Sequence, residues 1–121
     1  AALPALAYAA APGLNAEQDH VARAYLSRLG YRPVRVGDAP GLVVARTLAM
    51  LINEAADAVL QGVCTPEGAD AAMKLGVNYP CGPFEWLKAW DVKAVVHLLD
   101  ALDSHYRGER YRVSPWLRSQ V

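Results

Sequence analysis

Pro40-Gly41-Leu42-Val43-Val44-Ala45-Arg46-Thr47-Leu48-Ala49-Met50-Leu51-Ile52-Asn53-Glu54-Ala55-Ala56-Asp57-Ala58-Val59-Leu60-Gln61-Gly62 is the longest run in the chain that reads as one helix. From Gly41 to Gly62 it would extend about 33 Å at the usual rise per residue. The turn-forming Gly37-Asp38-Ala39-Pro40-Gly41 leads into it, and Gly62 stops it as a C-terminal glycine does. Between Leu42 and Ile52 only Arg46 and Thr47 are polar, so this helix needs apolar neighbours nearly all round. On a helical wheel Arg46, Asn53, Asp57 and Gln61 fall in one narrow stripe, with Glu54 at its margin. The stripe either faces water, the default for charged side chains, or faces a cleft or a partner. Arg46, Asn53, Glu54 and Asp57 argue against a membrane span.

The totals set the scale around this helix. At 121 residues the length prior gives one domain, large enough for a core without staples. Hydrophobic residues make up 54%, much of it alanine, which favours closely packed helices. Twelve basic and twelve acidic residues cancel, so no whole-chain field draws nucleic acid or an anionic membrane. Cys64 and Cys81 make no disulfide framework and no C-x-x-C, and read as free thiols in a reducing, cytoplasmic setting. Ala1 to Gly13 lacks the basic start of a signal peptide, and Pro4 interrupts its apolar run. With no initiator methionine, the chain reads as part of something longer.

Working outward on the N-terminal side, Tyr31-Arg32-Pro33-Val34-Arg35-Val36 alternates apolar and basic, a short strand with Pro33 marking an edge. A lone strand is not stable, so it pairs with another chain, with Ala1 to Tyr8, or with nothing. Before it, Asn15 caps a helix from Ala16 to about Leu29, with Gln18 as its capping-box partner. Val21, Ala24, Tyr25 and Leu29 form the apolar face expected to pack. Ala1 to Gly13 stays open between a short helix and packed coil.

On the C-terminal side, Thr65-Pro66-Glu67 starts a helix that Gly76 ends. Asn78 to Pro83 is a turn-rich connector. Phe84 to Trp90 reads as a short helix bearing Phe84, Trp86 and Trp90, aromatics that plug a core more often than they stack on a ligand. Glu85, a carboxylate among them, needs a partner. Asp91 caps Val92 to about Tyr106, with Val92, Val95, Val96, Leu99 and Leu102 facing inward. Ser114-Pro115 opens a last short helix, Trp116 to Ser119.

Chemistry is thin at this level. There is no G-x-G-x-x-G or G-x-x-x-x-G-K loop. His20, His97 and His105 make no metal set, and the two cysteines have no zinc spacing, so no metal is expected. Asp91, Asp100 and Asp103 read as solvated helix charges before they read as an acid–base pair. From residues alone, two readings stay open. One is an assembly module whose apolar helices pack on a twin or neighbour. The other is half an enzyme, one wall of a cleft whose cofactor site lies elsewhere.

Five linked stretches resemble a known family. Asp38-Ala39-Pro40-Gly41-Leu42-Val43-Val44-Ala45-Arg46 is similar to the D-x-P-G-F-[VI]-V-N-R of the 3-hydroxyacyl-CoA dehydrogenase C-terminal domain. Asn53-Glu54-Ala55 resembles its N-E-A. Asp70-Ala71-Ala72-Met73-Lys74-Leu75-Gly76 resembles D-x-A-M-x-L-G, and Tyr79-Pro80-Cys81-Gly82-Pro83-Phe84-Glu85 resembles Y-P-x-G-P-[FL]-E. Leu29 to Val36 resembles the L-G-K-x-P-V-x-V ahead of them. Within the family, the 3-hydroxybutyryl- and 3-hydroxyadipyl-CoA dehydrogenases of fatty-acid and phenylacetate breakdown are most similar, and the chain resembles the second of their two helical copies.

The resemblance implies a mainly α fold of the 6-phosphogluconate-dehydrogenase C-terminal class, about five helices with one short β-strand near the N-terminal end. It implies an N-terminal segment, residues 1–37, and a helical domain, residues 38–121. It implies a parent that oxidises 3-hydroxyacyl-CoA with NAD held on a Rossmann domain, while this chain binds no cofactor itself. Ala45 stands where the family's active site has Asn, so no catalytic residue is expected here. Arg46, Asn53, Glu54 and Glu85 become candidates for acyl-CoA binding, and Leu48, Met50, Leu51 and Ile52 for the face of a homodimer. The alternative is a monomeric scaffold or substrate-cap domain that binds acyl-CoA weakly.

Overall fold

The computed structural model describes residues 2–121, so Ala1 lies outside the described residues. The chain divides into two compact units, residues 1–43 and 44–121.

The first unit is a βαβ unit: β1 (Ala5–Tyr8), α1 (Ala16–Arg28) and β2 (Arg32–Arg35). The strands run parallel, with Ala5 opposite Arg32 and Tyr8 opposite Arg35. The partner of the basic strand is therefore the N-terminal stretch, whose Ala5–Tyr8 is a strand and neither helix nor coil. Four residues of Ala, Leu and Tyr carry too little pattern to announce a strand, and the pairing supplies what the local sequence does not. Asn15 caps α1 through the reciprocal bonds expected: Gln18 N–H donates to its side chain at 2.8 Å, and Gln18 accepts from Asn15 N–H at 3.0 Å. Polar bonds tie α1 to the strands. Tyr8 Oη donates to Asp19 at 2.9 Å and accepts from Arg23 at 3.1 Å, and Arg35 pairs with Asp19 at 3.5 Å. The expected apolar face of α1 is not packed: Val21 and Tyr25 are 63% exposed, Leu29 56%, and no α1 residue is buried. Its periodicity is real, but two short strands offer no surface wide enough to cover it.

The second unit is all helix among its described elements: α2 (Val44–Leu60), α3 (Pro66–Gly76), α4 (Pro83–Ala89), α5 (Val92–Tyr106) and α6 (Pro115–Ser119). The chain is thus mainly α, with six helices and a two-stranded parallel sheet among the described residues. The central helix starts later than expected because Gly41 and Leu42 both take left-handed backbone, φ +70° and +47°, which no helix tolerates. Gly62, φ +75°, ends it. Thr65, Asp91 and Ser114 each accept a backbone N–H and cap α3, α5 and α6. Ala49, Ile52 and Ala56 of α2 meet Val95, Val96 and Leu99 of α5 and Leu117 of α6 in one core. Alanines on α2 let the helices approach closely there. No helix among the described residues is long and apolar enough to cross a membrane.

Candidate functional site

The polar stripe of α2 is covered along Arg46, Asn53 and Asp57, while Gln61 at its end is exposed. It receives the chain's own C-terminal segment. Asn53 is buried, 4% exposed, and both ends of its amide are engaged: Nδ2 donates to the Arg112 carbonyl at 2.8 Å and Oδ1 accepts from Ser114 N–H at 2.8 Å. One turn on, Asp57 pairs with Arg112 at 3.8 Å. Two turns back, Arg46 donates to Tyr106 Oη at 3.1 Å and to Tyr111 Oη. Its guanidinium also lies over both rings, 4.8 and 5.4 Å from the centroids. Asn53 thus holds the turn that leads into α6, and Ser114 caps that helix on Trp116 N–H at 3.3 Å.

Glu85 also finds its partners at home. It accepts from Gly82 N–H at 3.1 Å and from the Cys81 thiol at 3.3 Å, and it pairs with Lys74 of α3. The Lys74 ammonium first, then the Gly82 N–H and the Cys81 thiol, lower its pKa from 4.5 to about 2. The same pairing raises Lys74, while burial and Glu85 raise the Cys81 thiol. Beside it Asp70 accepts from Phe84 N–H at 2.7 Å and crowds Gly82, where a Cβ would stand 2.3 Å from the Asp70 carboxylate. Only glycine fits that approach. The D-A-A-M-K-L-G and Y-P-C-G-P-F-E stretches are therefore the two halves of one clasp between α3 and α4. Phe84 packs edge-on against Trp116 at 5.3 Å, Trp86 lies tilted against Tyr79 at 5.8 Å, and Trp90 stays 36% exposed.

Glu54 is exposed, on the rim of an apolar groove of about 280 Å³. Leu51, Ala55 and Ala58 of α2 and Ala69, Ala72 and Met73 of α3 form its walls. Leu48, Met50 and Leu51 are half-buried; Ile52, 0% exposed, is spent in the core of its own unit. Cys64 and Cys81 are free thiols, and His20, His97 and His105 are all exposed. Among the described residues no three metal-ligating side chains gather.

Residues 41–121 match the family described as 3-hydroxyacyl-CoA dehydrogenase, C-terminal domain. The chain belongs to that family. It is 43% identical over 97 residues to 3-hydroxyadipyl-CoA dehydrogenase of Escherichia coli K12, covering 80% of this chain and 20% of the relative. It is 36% identical over 94 residues to a probable 3-hydroxybutyryl-CoA dehydrogenase of Deinococcus radiodurans, covering 78% of this chain and 34% of that protein. A solved 3-hydroxybutyryl-CoA dehydrogenase from Escherichia coli K12 superposes with a TM-score of 0.87 at 39% identity, over 94% of this chain and 24% of that one. The chain therefore spans between a fifth and about a third of these relatives. Oxidoreductases of this kind are its kin, and the stretches Asn53–Ala55, Asp70–Gly76 and Tyr79–Glu85 lie within the matched residues.

What sequence reasoning missed was Tyr106 and Tyr111 on Arg46, and the Asp70–Gly82 contact. The first joins positions sixty or more residues apart, with no local signal. The second was masked, because Gly82 falls in the turn-rich connector, and only its φ of −82° shows that the close approach and not a turn requires glycine.

Proposed function

We propose that this chain is the substrate-side and assembly half of an NAD-dependent 3-hydroxyacyl-CoA dehydrogenase of the cytoplasm, acting in fatty-acid or phenylacetate breakdown. The parent reaction is oxidation of 3-hydroxyacyl-CoA to 3-oxoacyl-CoA. The family match over residues 41–121 carries this reading. NAD does not fit the residues present: the β1–α1 turn, Ala9 to Asn15, holds one glycine and no pyrophosphate-cradling run. The nucleotide belongs to a Rossmann domain, and the uncovered apolar face of α1 is a surface that such a domain would cover. Ala45 leaves the family's Asn position without a hydrogen-bonding side chain, which supports a second, non-catalytic helical copy.

Within this reading the four substrate candidates divide. Glu54 and the groove beside it form the cleft wall, and Arg46 faces a second hollow. Asn53 and Glu85 support that wall from behind through the bonds they already make. Leu48, Met50 and Leu51 form the face between two copies.

Calorimetric titration of the chain with acetoacetyl-CoA tests the cleft wall. Saturable binding, with no NADH oxidation by the same sample, is expected. Failure to bind, or turnover by the chain alone, would overturn the reading.

A further inference from the structure

Arg46, Tyr106, Arg107, Arg110 and Tyr111 line a hollow of about 220 Å³ beside the first turns of α2, at the C-terminal end of α5. That is several times the share of one water molecule, about 30 Å³. Three of its five lining residues are arginines and none is acidic. The chain as a whole is neutral, so this is a local concentration of positive charge. The ion pairs of the described residues go to Arg35, Lys74, Arg112 and Arg118, not to these three. Arg46 is oriented by two phenol oxygens and two ring faces, which fix its plane without cancelling its charge. Arg107 sits at φ +62°, ψ 173°, a backbone region kept almost wholly by glycine, immediately before Gly108 at φ +88°.

We propose that this hollow binds a phosphate group, with the Arg46, Arg107 and Arg110 guanidiniums as its donors. Guanidinium offers paired N–H groups that match phosphate oxygens, and three of them without a carboxylate are left uncompensated until an anion arrives. Tyr106 and Tyr111 hold Arg46 in place and close one side. The phosphate could come from the phosphorylated adenosine end of coenzyme A, which rests on the reading above, or from free phosphate.

Calorimetry of the 121-residue chain with adenosine 3′,5′-bisphosphate tests the site. One-site binding is expected, weakened about tenfold by each of Arg107→Gln and Arg110→Gln and falling with salt. Both side chains are exposed, so the variants keep their fold, which circular dichroism checks. Inorganic phosphate binding as tightly as the bisphosphate, through the same arginines, would uphold the phosphate site and overturn coenzyme A as its source. No saturable binding of either anion, or binding indifferent to both substitutions, would overturn the site. Acetoacetyl-pantetheine, which lacks the adenosine phosphates, separates the two claims. If it binds as tightly as acetoacetyl-CoA, the hollow has no part and the cleft wall stands. If neither thioester binds while the bisphosphate does, the cleft reading and coenzyme A as the source of the phosphate both fail, and only the phosphate site stands.

Discussion

Asn53 shows how one side chain can organise a chain end. The NH2 and the oxygen of its one amide replace water for a carbonyl and an N–H about sixty residues away, and both bonds lie inside the unit. Asn53→Ala would leave those backbone groups unpaired, at a cost of about 2–4 kcal/mol. Urea unfolding would register this as a lower midpoint with an unchanged slope. Glu85 acts at the surface, and its effect is read through pH. Its pKa falls from 4.5 to about 2 on folding, chiefly through Lys74. A lowered carboxylate pKa contributes stability that is complete above pH 4.5 and is lost as the pH drops through about 2. Urea midpoints between pH 5 and pH 2 should therefore fall more steeply in the unmodified chain than in Glu85→Gln. Parallel curves would show that the Lys74–Glu85–Gly82 clasp contributes nothing. At this scale much was legible: the caps at Asn15, Thr65, Asp91 and Ser114 follow from residue type and position. The need of Glu85 for a partner was legible too, but not that Lys74 would be the partner, because α3 and α4 meet only through the fold.

At the scale of elements, α2 is read three ways at once. One face enters the core, one carries the C-terminal segment, and one opens on the alanine-lined groove. Its polar stripe was visible in sequence, but what covers the stripe was not, since pattern shows periodicity and not partners. α1 is the converse case. Its apolar face was predicted to pack and stands open, because pattern cannot say whether the covering surface lies within the same unit. The two faces give opposite mutational outcomes. Leu99→Ala in α5, fully buried in the core, should cost about 2–5 kcal/mol. Val21→Ala in α1 should stay within about 0.5 kcal/mol. Thermal unfolding of the two variants makes the comparison. A large loss from Val21→Ala would mean that α1 is covered in solution by something more than its own strands.

For the whole molecule, the fold class and family were legible because five motifs keep their order along most of the chain. Four of them are joints: the left-handed turn into α2, the two halves of the clasp between α3 and α4, and the amide that fixes the tail. The assembly was not legible, since a face between copies leaves the same apolar pattern as a core. Leu48, Met50 and Leu51 remain half-buried on α2, Leu51 in the wall of the alanine-lined groove, and symmetric pairing of two copies is the commonest way to cover such a surface. Leu48→Glu or Met50→Glu should break that pairing and leave the fold in place, since neither residue belongs to the buried core. Light scattering after gel filtration, across a wide range of concentration, tests this most directly. The account predicts twice 13.1 kDa at every concentration, falling to 13.1 kDa in folded Leu48→Glu. A mass of 13.1 kDa for the unmodified chain throughout would contradict it.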